Sequence, residues 1–495
     1  MGWDRPLIHF IDALVAVAVF VLHLAVAARA ITRPGRIPSS RVAWVAVIMA
    51  LPLVGVIAYL MVGETSIGRE RVRRLHQTIA AMPIPRQDAD PDVPPRVRGL
   101  FDLVSRINGF EPTTGNTIRL LGDADAPIDQ PMIDSDLAIN ALIADVESAT
   151  DSVHISFYIW LDDDHGGLVA DAVCAAAKRG VRCRVMVDAL GSRAFTKSPR
   201  WRQLADAGVE TFATLGDIPR LGNLAVGRVD LRDHRKIVII DNAIAYCGSQ
   251  NCADPQFRVE AKYAPWVDIL FRCEGPIVRQ AQYIFLSTWI TGTGHKELEA
   301  VPSAAPLPAP RQGGAVAQMF GTGPTSDDDA MSDAFVTSIY AARAELLITT
   351  PYFVPDESLL RALAAAPRRG VRTRLILPAR NNSWLVAASA RSTYAALLES
   401  GVEILEYPLG LLHTKAITAD GEFALVGSAN MDRRSLQLNF ENNLLIADPD
   451  VVAQIRRRQE GYAAASHPVS EETVLAWPWR RRFVQNAVDM VAPLL

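Results

Sequence analysis

The stretch that decides the fold is DHRKIVIID at residues 233–241, which is followed by GSQN at residues 248–251. The same arrangement returns as LHTKAITAD at residues 412–420, followed by GSAN at residues 427–430. Both copies follow one H-x-K-x4-D pattern, and in both the glycine comes at the same distance after the aspartate. The candidate catalytic residues are therefore His234, Lys236, Asp241, His413, Lys415 and Asp420. A single pattern of this kind arises by chance in many proteins, but two copies in register indicate a duplicated functional unit.

The residue types in each copy suit chemistry on a phosphate diester. Side chains two apart on a strand point to the same face, so the histidine and lysine of each copy should project together. One imidazole can attack phosphorus while the other transfers protons, and the lysines can neutralise the phosphate oxygens. The candidate phosphate-binding residues are those of the GSxN turns, Ser249, Asn251, Ser428 and Asn430. No His/Asp/Glu cluster has the spacing of a metal site, so we expect no metal and no cofactor.

The duplication extends beyond these motifs. VHISFYIW at residues 153–160 precedes an alanine-rich helical stretch and then KRGVRCRVMVDALGS at residues 178–192. LLITTPYFV at residues 346–354 precedes a similar stretch and then RRGVRTRLILPARNN at residues 368–382. This order of strand, helix and strand predicts the α/β class, with two pseudo-symmetric lobes. Such lobes would place their equivalent elements face to face.

Two apolar runs open the chain, from about Leu7 to Ala28 and from Val42 to Val62. Each has about the ~20 residues that a helix needs to cross a bilayer. A cleaved signal peptide is the alternative for the first run, but no small-residue cleavage site followed by a soluble segment is present. We therefore expect an N-terminal transmembrane helical hairpin and a multi-pass protein of the cell membrane. Arginines flank the second run on both sides, so the positive-inside rule leaves the orientation open.

Composition and segment boundaries add further expectations. The formal net charge of −4 argues against the broadly basic surface of a nucleic-acid-binding protein. The C-terminal WPWRRRFVQNAVDMVAPLL, residues 477–495, suits either the membrane surface or a helix packed on the core. The predicted segments are two transmembrane helices at 1–64, a basic juxtamembrane helix and linker at 65–115, a first lobe at 116–300, an interlobe linker at 301–316, and a second lobe with a C-terminal amphipathic segment at 317–495.

The paired HxKx4D and GSxN motifs resemble those of the phospholipase D superfamily. Within that superfamily the chain is similar to two-span bacterial cardiolipin synthases over nearly its whole length. AWVAVIMALPLVGVIAYLMVGE at residues 43–64 looks like their second membrane segment. Three further stretches look like that family, namely PWVDILFRCEGP at 265–276, PYFVPD at 351–356 and GSANMDRRSLQLNFE at 427–441.

The resemblance implies an enzyme that transfers a phosphatidyl group between two phosphatidylglycerol molecules. The products would be cardiolipin and glycerol, formed through a phosphohistidine intermediate. Because the motifs alone indicate only phosphodiester exchange, two alternatives remain: a phospholipase D that hydrolyses phospholipids, and a phosphatidyltransferase with another alcohol acceptor. The origin of such lipids, together with five cysteines that show no CxxC spacing, favours a cytoplasmic catalytic region. The oligomeric state stays open.

The resemblance also implies individual roles. His234 becomes the nucleophile and His413 the acid/base, although the reverse assignment stays open. Each imidazole needs a partner on its other ring nitrogen to fix its tautomer, and the motif aspartates are one option. The resemblance favours two downstream histidine-orienting carboxylates instead, Asp268 for His234 and Glu441 for His413. In that case Asp241 and Asp420 brace the strand ends.

Overall fold

A computed structural model describes residues 4–33, 38–64, 67–85, 91–122, 131–216, 228, 230–294, 313–327 and 329–491. The helices before the second lobe are α1 (Asp4–Thr32), α2 (Pro38–Ala50), α3 (Val54–Val62), α4 (Arg69–Ala81), α5 (Arg98–Asn108), α6 (Pro131–Ser148), α7 (Asp164–Lys178), α8 (Pro199–Asp206) and α9 (Ile277–Thr293). Those that follow are α10 (Ala330–Ala341), α11 (Glu357–Arg368), α12 (Trp384–Ser392), α13 (Tyr394–Glu399), α14 (Arg433–Gln437), α15 (Pro449–Ala464), α16 (Glu471–Leu475) and α17 (Trp479–Val491). Two 3-10 helices span Phe195–Lys197 and Arg258–Tyr263.

The strands divide into two sets that follow one plan. The first set is β1 (Thr113–Leu120), β2 (Ser152–Phe157), β3 (Arg182–Asp188), β4 (Glu210–Thr214), β5 (Lys236–Ile240), β6 (Ile244–Gly248), β7 (Trp266–Val267) and β8 (Leu270–Glu274). The second set is β9 (Ala315–Thr322), β10 (Glu345–Thr349), β11 (Phe353–Val354), β12 (Arg372–Pro378), β13 (Glu403–Tyr407), β14 (Leu411–Leu412), β15 (Ala416–Ala419), β16 (Phe423–Gly427), β17 (Met431–Asp432), β18 (Glu441–Ala447) and β19 (His467–Pro468).

Fifteen strands form one sheet in the order β19-β13-β12-β10-β15-β16-β18-β9-β1-β8-β6-β5-β2-β3-β4. The antiparallel pair β9–β1 lies at its centre, and the order of strands on one side mirrors that on the other. In both halves the motif strand lies antiparallel to the first repeat strand, β5 to β2 and β15 to β10. The predicted pair of pseudo-symmetric α/β lobes is therefore confirmed, and the two lobes share one continuous sheet.

Local sequence explains why the repeats fold alike. Asp163 and Asp356 accept backbone N–H groups at the starts of α7 and α11, as N-cap carboxylates do. Gly180 and Gly370 follow these helices with φ of 93° and 85°, a left-handed conformation that glycine adopts without strain. The chain then enters β3 or β12, whose inner residues are buried. The shared RGV therefore marks a turn from helix to strand in each lobe.

The last long helix of each lobe packs across the centre of the molecule. Helix α9 contacts β9 of the second lobe, and α15 contacts β1 of the first. One core cluster joins α9 residues such as Phe285 to Met319 on β9 and Leu444 on β18. Because this apolar core is shared, the lobes are held in a fixed mutual orientation, which positions any site between them.

The N-terminal region departs from the predicted second span. The first run forms the single helix α1, and its residues 9–32 are long and apolar enough to cross a membrane. The run from Val42 to Val62 instead forms α2 and α3, which are separated by Leu51, Pro52 and Leu53. Proline has no N–H group to donate and disfavours helical backbone in the residue before it. Pro52 therefore prevents a single helix over this run. The second run is therefore two helices rather than one, and the two-span anchor stays a prediction.

Several predicted boundaries fall near observed ones. The basic helix expected after the anchor corresponds to α4, which packs against α9. The first strand of each lobe starts at Thr113 and Ala315, slightly before the predicted residues 116 and 317. Residues 301–312 of the predicted interlobe linker lie outside the described residues.

Candidate active site

Each motif histidine lies where a short segment of one lobe meets the other lobe. The N–H of His234 donates to the carbonyl of Phe440 at 2.9 Å, and the N–H of His413 donates to the carbonyl of Val267 at 2.9 Å. Strands β7 and β14, which pair in parallel, carry the second of these contacts. Phe440 and Val267 each immediately precede a candidate orienting carboxylate, so each histidine is brought beside a carboxylate of the opposite lobe.

The imidazole–carboxylate pairs therefore cross between the lobes. His234 Nδ1 lies 2.8 Å from Glu441 Oε2 and 3.1 Å from Oε1. His413 Nδ1 lies 2.6 Å from Asp268 Oδ1. Both predicted residues are orienting partners by geometry, but the expected pairing of Asp268 with His234 and Glu441 with His413 was wrong. The physical reason is the interlobe pairing of the short segments, which a pattern within one lobe cannot reveal.

The serines of the GSxN turns contact these carboxylates. Ser249 Oγ donates to Asp268 Oδ1 at 2.6 Å, and Ser428 Oγ donates to Glu441 Oε2. Each serine oxygen also accepts a backbone N–H, from Ile269 at 3.0 Å and from Asn442 at 2.9 Å. The serines thus hold the carboxylates in place, and their role as phosphate-binding residues stays a prediction.

The asparagines of the same turns are buried at 4% and 3% exposure. Asn251 Oδ1 accepts the Ile159 N–H at 3.3 Å, which anchors the chain that follows β2. The Asn430 N–H donates to Ser435 Oγ at 3.0 Å, while its Oδ1 is buried and has no hydrogen-bond partner among the described residues. Their role as phosphate-binding residues stays a prediction.

The two motif lysines are equivalent in geometry. Lys236 Nζ donates to the carbonyl of His234 at 2.6 Å, and Lys415 Nζ donates to the carbonyl of His413 at 2.6 Å. An ammonium has three donors, so this contact positions the charge and leaves hydrogen-bonding capacity for an anion. Burial lowers the pKa of Lys236 to about 8 and that of Lys415 to about 7.

The motif aspartates do not lie with the histidines. Asp241 accepts backbone N–H groups from Thr150, Asp151 and Ser152, all at 2.8 Å. Asp420 makes the same three contacts with residues Arg343, Ala344 and Glu345. These carboxylates sit at the far ends of β5 and β15, where they brace the chain entering the first repeat strand. Their place among the catalytic candidates is therefore corrected, and the bracing role agrees with the geometry.

Electrostatics indicate the resting protonation of the site. Burial lowers the pKa of His234 to about 4 and that of His413 to about 3, despite the neighbouring carboxylates. Burial alone would raise the pKa values of Asp268 and Glu441, but the adjacent histidines and lysines hold them below their usual range. At neutral pH each imidazole is thus neutral and donates its Nδ1–H to an ionised carboxylate. Each Nε2 is then left unprotonated.

Charges of the two lobes act on one another across the site. Lys415 lowers the pKa of His234, and Lys236 lowers that of His413. Glu441 likewise raises the pKa of Lys236, and Asp268 that of Lys415. Coulomb coupling between these groups requires that they lie near each other. The two motifs therefore form one electrostatic unit with two ammonium groups and two carboxylates.

Aromatic rings line the two half-sites differently. The ring centroids of Tyr158 and His234 lie 4.8 Å apart, and Lys236 Nζ lies 5.4 Å from the centroid of the Tyr158 ring. His413 lies 4.6 Å from Trp266 and 6.2 Å from Tyr352. Both tyrosines thus contact the motif histidine of their own lobe.

Some residues around the site were not predicted. Ser435 Oγ donates to Glu441 Oε1 at 2.7 Å, and Asn439 Nδ2 donates to it at 3.2 Å. Asn442 Oδ1 accepts the N–H of Lys236 at 2.9 Å across the lobe boundary. All three lie in or near the LNFE segment at residues 438–441. The equivalent positions of the first lobe hold other residue types, so comparison of the two repeats could not identify these three residues. Among the described residues, no group of three His, Cys, Asp or Glu side chains is placed to hold a metal ion.

Comparisons with known proteins place this fold and these motifs in a family. A family described as "Cardiolipin synthase, PLD-like domain" matches residues 142–288 and 335–461, and one described as "Phospholipase_D-nuclease N-terminal" matches residues 15–64. The chain is 36% identical to Cardiolipin synthase A of Cronobacter sakazakii and to that of Salmonella arizonae. Each alignment covers 97% of this chain and 98% of the relative.

A solved structure supports the fold. The crystal structure of phosphatidylserine synthase from Haemophilus influenzae matches with a TM-score of 0.56 and 12% identity. It covers 81% of this chain and all of that chain. The apolar helix α1 and these relatives together support membrane association. With its paired motifs, its duplicated α/β lobes and relatives that match it nearly end to end, the chain belongs to the cardiolipin synthase family of the phospholipase D superfamily.

Proposed function

We propose that this phosphatidyltransferase moves a phosphatidyl group from one phosphatidylglycerol to a second, which yields cardiolipin and glycerol. The observation that carries the proposal is the crossed pair of imidazole–carboxylate contacts, one built on each motif. Around a bound phosphate diester, this arrangement would supply two neutral imidazoles with unprotonated Nε2 atoms and two ammonium groups. The name of the relatives, Cardiolipin synthase A, supports cardiolipin as the product.

The first step breaks the bond between phosphorus and the headgroup glycerol. His234 Nε2 attacks phosphorus and forms a phosphohistidine, while His413 gives a proton to the departing glycerol oxygen. His413 takes up that proton when substrate binds, because the negative charge of the phosphate diester raises the pKa of a nearby imidazole. Lys236 and Lys415 neutralise the non-bridging oxygens as negative charge builds up in the transition state.

The second step regenerates the enzyme. The neutral His413 removes the proton from a glycerol hydroxyl of the second phosphatidylglycerol, and that oxygen attacks the phosphohistidine. The bond to His234 breaks, and cardiolipin leaves with the phosphatidyl group. Exchange of the two histidine roles would give the same products, and the near-equivalence of the half-sites keeps that assignment open.

Burial of the site favours transfer over hydrolysis. The side chains of His234 and His413 are 8% and 3% exposed, so bulk water has little access to the reacting atoms. Exclusion of water protects a reactive intermediate from hydrolysis. Two alternatives remain: a phospholipase D that transfers the phosphatidyl group to water, and a transferase that uses a different alcohol. Each would give a different product.

An assay of products separates these activities. Purified full-length protein is reconstituted with phosphatidylglycerol labelled separately in the phosphate and in the headgroup glycerol. We expect equal amounts of cardiolipin and free glycerol. Phosphatidic acid without cardiolipin would contradict the proposal, as would a diester product formed only when another alcohol is added.

We also propose a two-pass anchor with a cytoplasmic catalytic region. Helix α1 would make one crossing, and α2 with α3 would make the second as a bent helix. The His23 imidazole supports the bend, since its Nε2 accepts the N–H of Leu53 at 3.1 Å. Labelling of single cysteines introduced on either side of the anchor, with an impermeant reagent on intact cells, tests this orientation.

A further inference from the structure

Exposed apolar side chains lie on segments that contact the two half-sites. Leu190 follows Asp188, whose Oδ1 accepts the N–H of Leu190 at 3.0 Å and whose Oδ2 accepts the N–H of Asp233 at 2.8 Å, directly before His234. Leu409 precedes β14, whose residue Leu411 donates its N–H to the carbonyl of Pro265 at 2.9 Å. Both side chains are therefore held close to a motif histidine while facing solvent.

Two more exposed residues are sequence neighbours of side chains that connect to the His413 half-site. Tyr352, whose ring contacts His413, donates its hydroxyl to Asn382 Oδ1 at 2.9 Å. Asn382 Nδ2 donates to Glu260 Oε2 at 2.7 Å. Val259 adjoins Glu260 and is 68% exposed, and Trp384 lies two residues after Asn382 and is 64% exposed. Segments of both lobes close to the site thus carry large exposed apolar groups.

Helix α17 extends this surface. Part of its buried side is polar, and its solvent-exposed side carries large apolar residues. Its inward side carries the buried residues Gln485 and Val488, and Asp489 Oδ1 accepts the hydroxyl of Ser389 on α12 at 2.6 Å. Three apolar side chains face solvent instead, with exposures of 67%, 66% and 77% for Trp479, Phe483 and Met490. Their spacing of four and seven residues places them in one stripe on a helix of 3.6 residues per turn.

We propose that the rim residues Leu190, Val259, Trp384 and Leu409 and the α17 stripe of Trp479, Phe483 and Met490 form a docking face for an anionic phospholipid bilayer. The stripe is flanked by the exposed Arg480 and Arg482, as in helices that lie in the interface of acidic membranes. Tryptophan at the edge of an apolar surface is typical of that interface. The face would hold the site close to lipid headgroups, independently of the anchor α1.

The positive charge of this face favours an anionic bilayer over a second copy of the chain as its binding partner. A second copy of the chain docked symmetrically on the same face would bring the Arg480 and Arg482 of both copies into one interface, and such like charges repel. Anionic lipid headgroups instead complement them. The α1 anchor also holds the catalytic region near a bilayer, so little further ordering is needed for contact.

Fluorescence quenching by lipid tests the proposal on the full-length chain in nanodiscs of phosphatidylglycerol and phosphatidylcholine. Cysteine is introduced at Phe483 or Met490 and labelled with an environment-sensitive dye, and the five native cysteines are buried and therefore protected from the dye. The matched controls are Leu168→Cys and Tyr340→Cys, two exposed apolar positions on α7 and α10 outside the docking face. We expect bromine-labelled acyl chains to remove most of the emission at positions 483 and 490 but not at the controls.

Two results would overturn the docking face. Emission at positions 483 and 490 that does not respond to brominated lipid would show that the stripe stays outside the bilayer. A blue-shifted emission without quenching would indicate burial against protein, such as a second copy. Because no step of the experiment measures turnover, failure of the docking face is distinguishable from failure of the proposed function.

Discussion

At the scale of single residues, the two orienting carboxylates differ sharply from the two motif aspartates. Glu441→Gln and Asp268→Asn replace an acceptor that fixes the imidazole tautomer with an amide that can present an N–H to the same nitrogen. We expect kcat to fall by about 10²–10⁴-fold in each variant, as happens when a histidine loses its orienting carboxylate. Steady-state kinetics, with thermal unfolding as the check of folding, measure the effect. Near-normal kcat in either variant would remove the carboxylate from the mechanism.

The motif aspartates should give the opposite result. Asp241→Ala and Asp420→Ala each remove three hydrogen bonds from backbone N–H groups, so we expect a loss of about 2 kcal/mol of stability. The pKa of Asp241 is lowered in the fold, so its contribution is present above the pKa of the unfolded carboxyl and is lost as pH falls. Denaturant titration measures the stability, and kcat per folded molecule should be retained. Unchanged stability with lost kcat would mean that these aspartates act in the chemistry.

The buried lysines predict a pH dependence. Burial lowers the pKa values of Lys236 and Lys415 to about 8 and about 7, and only their charged forms can neutralise phosphate. We therefore expect kcat/KM to decline as pH rises through that range. Bound phosphate raises the pKa of a nearby ammonium, so the decline in kcat should lie at higher pH than the decline in kcat/KM. A kcat/KM that stays flat well above pH 8 would contradict this assignment.

At the scale of secondary-structure elements, the glycines of the GSxN turns mark a close approach of strands. A Cβ added at Gly427 would overlap the carbonyl oxygen of Asn442 on the neighbouring strand β18, beside Glu441. Gly427→Ala should therefore destabilise the protein by about 3 kcal/mol or more, since strand backbone cannot move aside cheaply. The matched control is Gly99→Ala, where a Cβ on α5 meets no atom within 4 Å. Thermal unfolding of both variants tests the prediction, and equal melting temperatures would refute it.

Elements of the repeat were predictable because sequence pattern and local structure agree there. The strand of each motif, the N-capped helix and the left-handed glycine recur at matching positions in both lobes. The break at Pro52 could have been expected from the geometry of proline. The prediction rested on mean hydropathy over the whole run, which a single proline hardly changes. The helices α2 and α3 show that an apolar run of sufficient length need not form one helix.

At the scale of the whole molecule, the site needs both lobes of one chain. The shared sheet through β9 and β1 holds the lobes together, and Glu441 and Asp268 cross between them. Mixing purified His234→Ala and His413→Ala proteins should therefore restore no activity. Product formation in the mixture is the measurement, with wild-type protein diluted into either variant as the control. Recovered activity would mean that the site forms between copies.

The crossed pairing is the part of the site that the sequence could not predict. An internal repeat gives each lobe one motif histidine and one orienting carboxylate. Their spacing in the sequence does not tell whether a histidine pairs with the carboxylate of its own lobe or with that of the other lobe. The choice depends on how β7 meets β14 and how Asp233 meets Phe440, which are contacts between distant segments. Residues without a counterpart in the other lobe, such as Asn442 and Ser435, escape a search by symmetry for the same reason.

The most direct test of the two-histidine mechanism is isolation of the covalent intermediate. Full-length enzyme is mixed with phosphatidylglycerol labelled in the phosphate, quenched rapidly in alkali, digested and analysed for acid-labile label on each histidine peptide. We predict a phosphatidyl group on the peptide that contains His234, and none there in the His234→Ala variant. Formation of cardiolipin with no label on either His234 or His413 would contradict the mechanism.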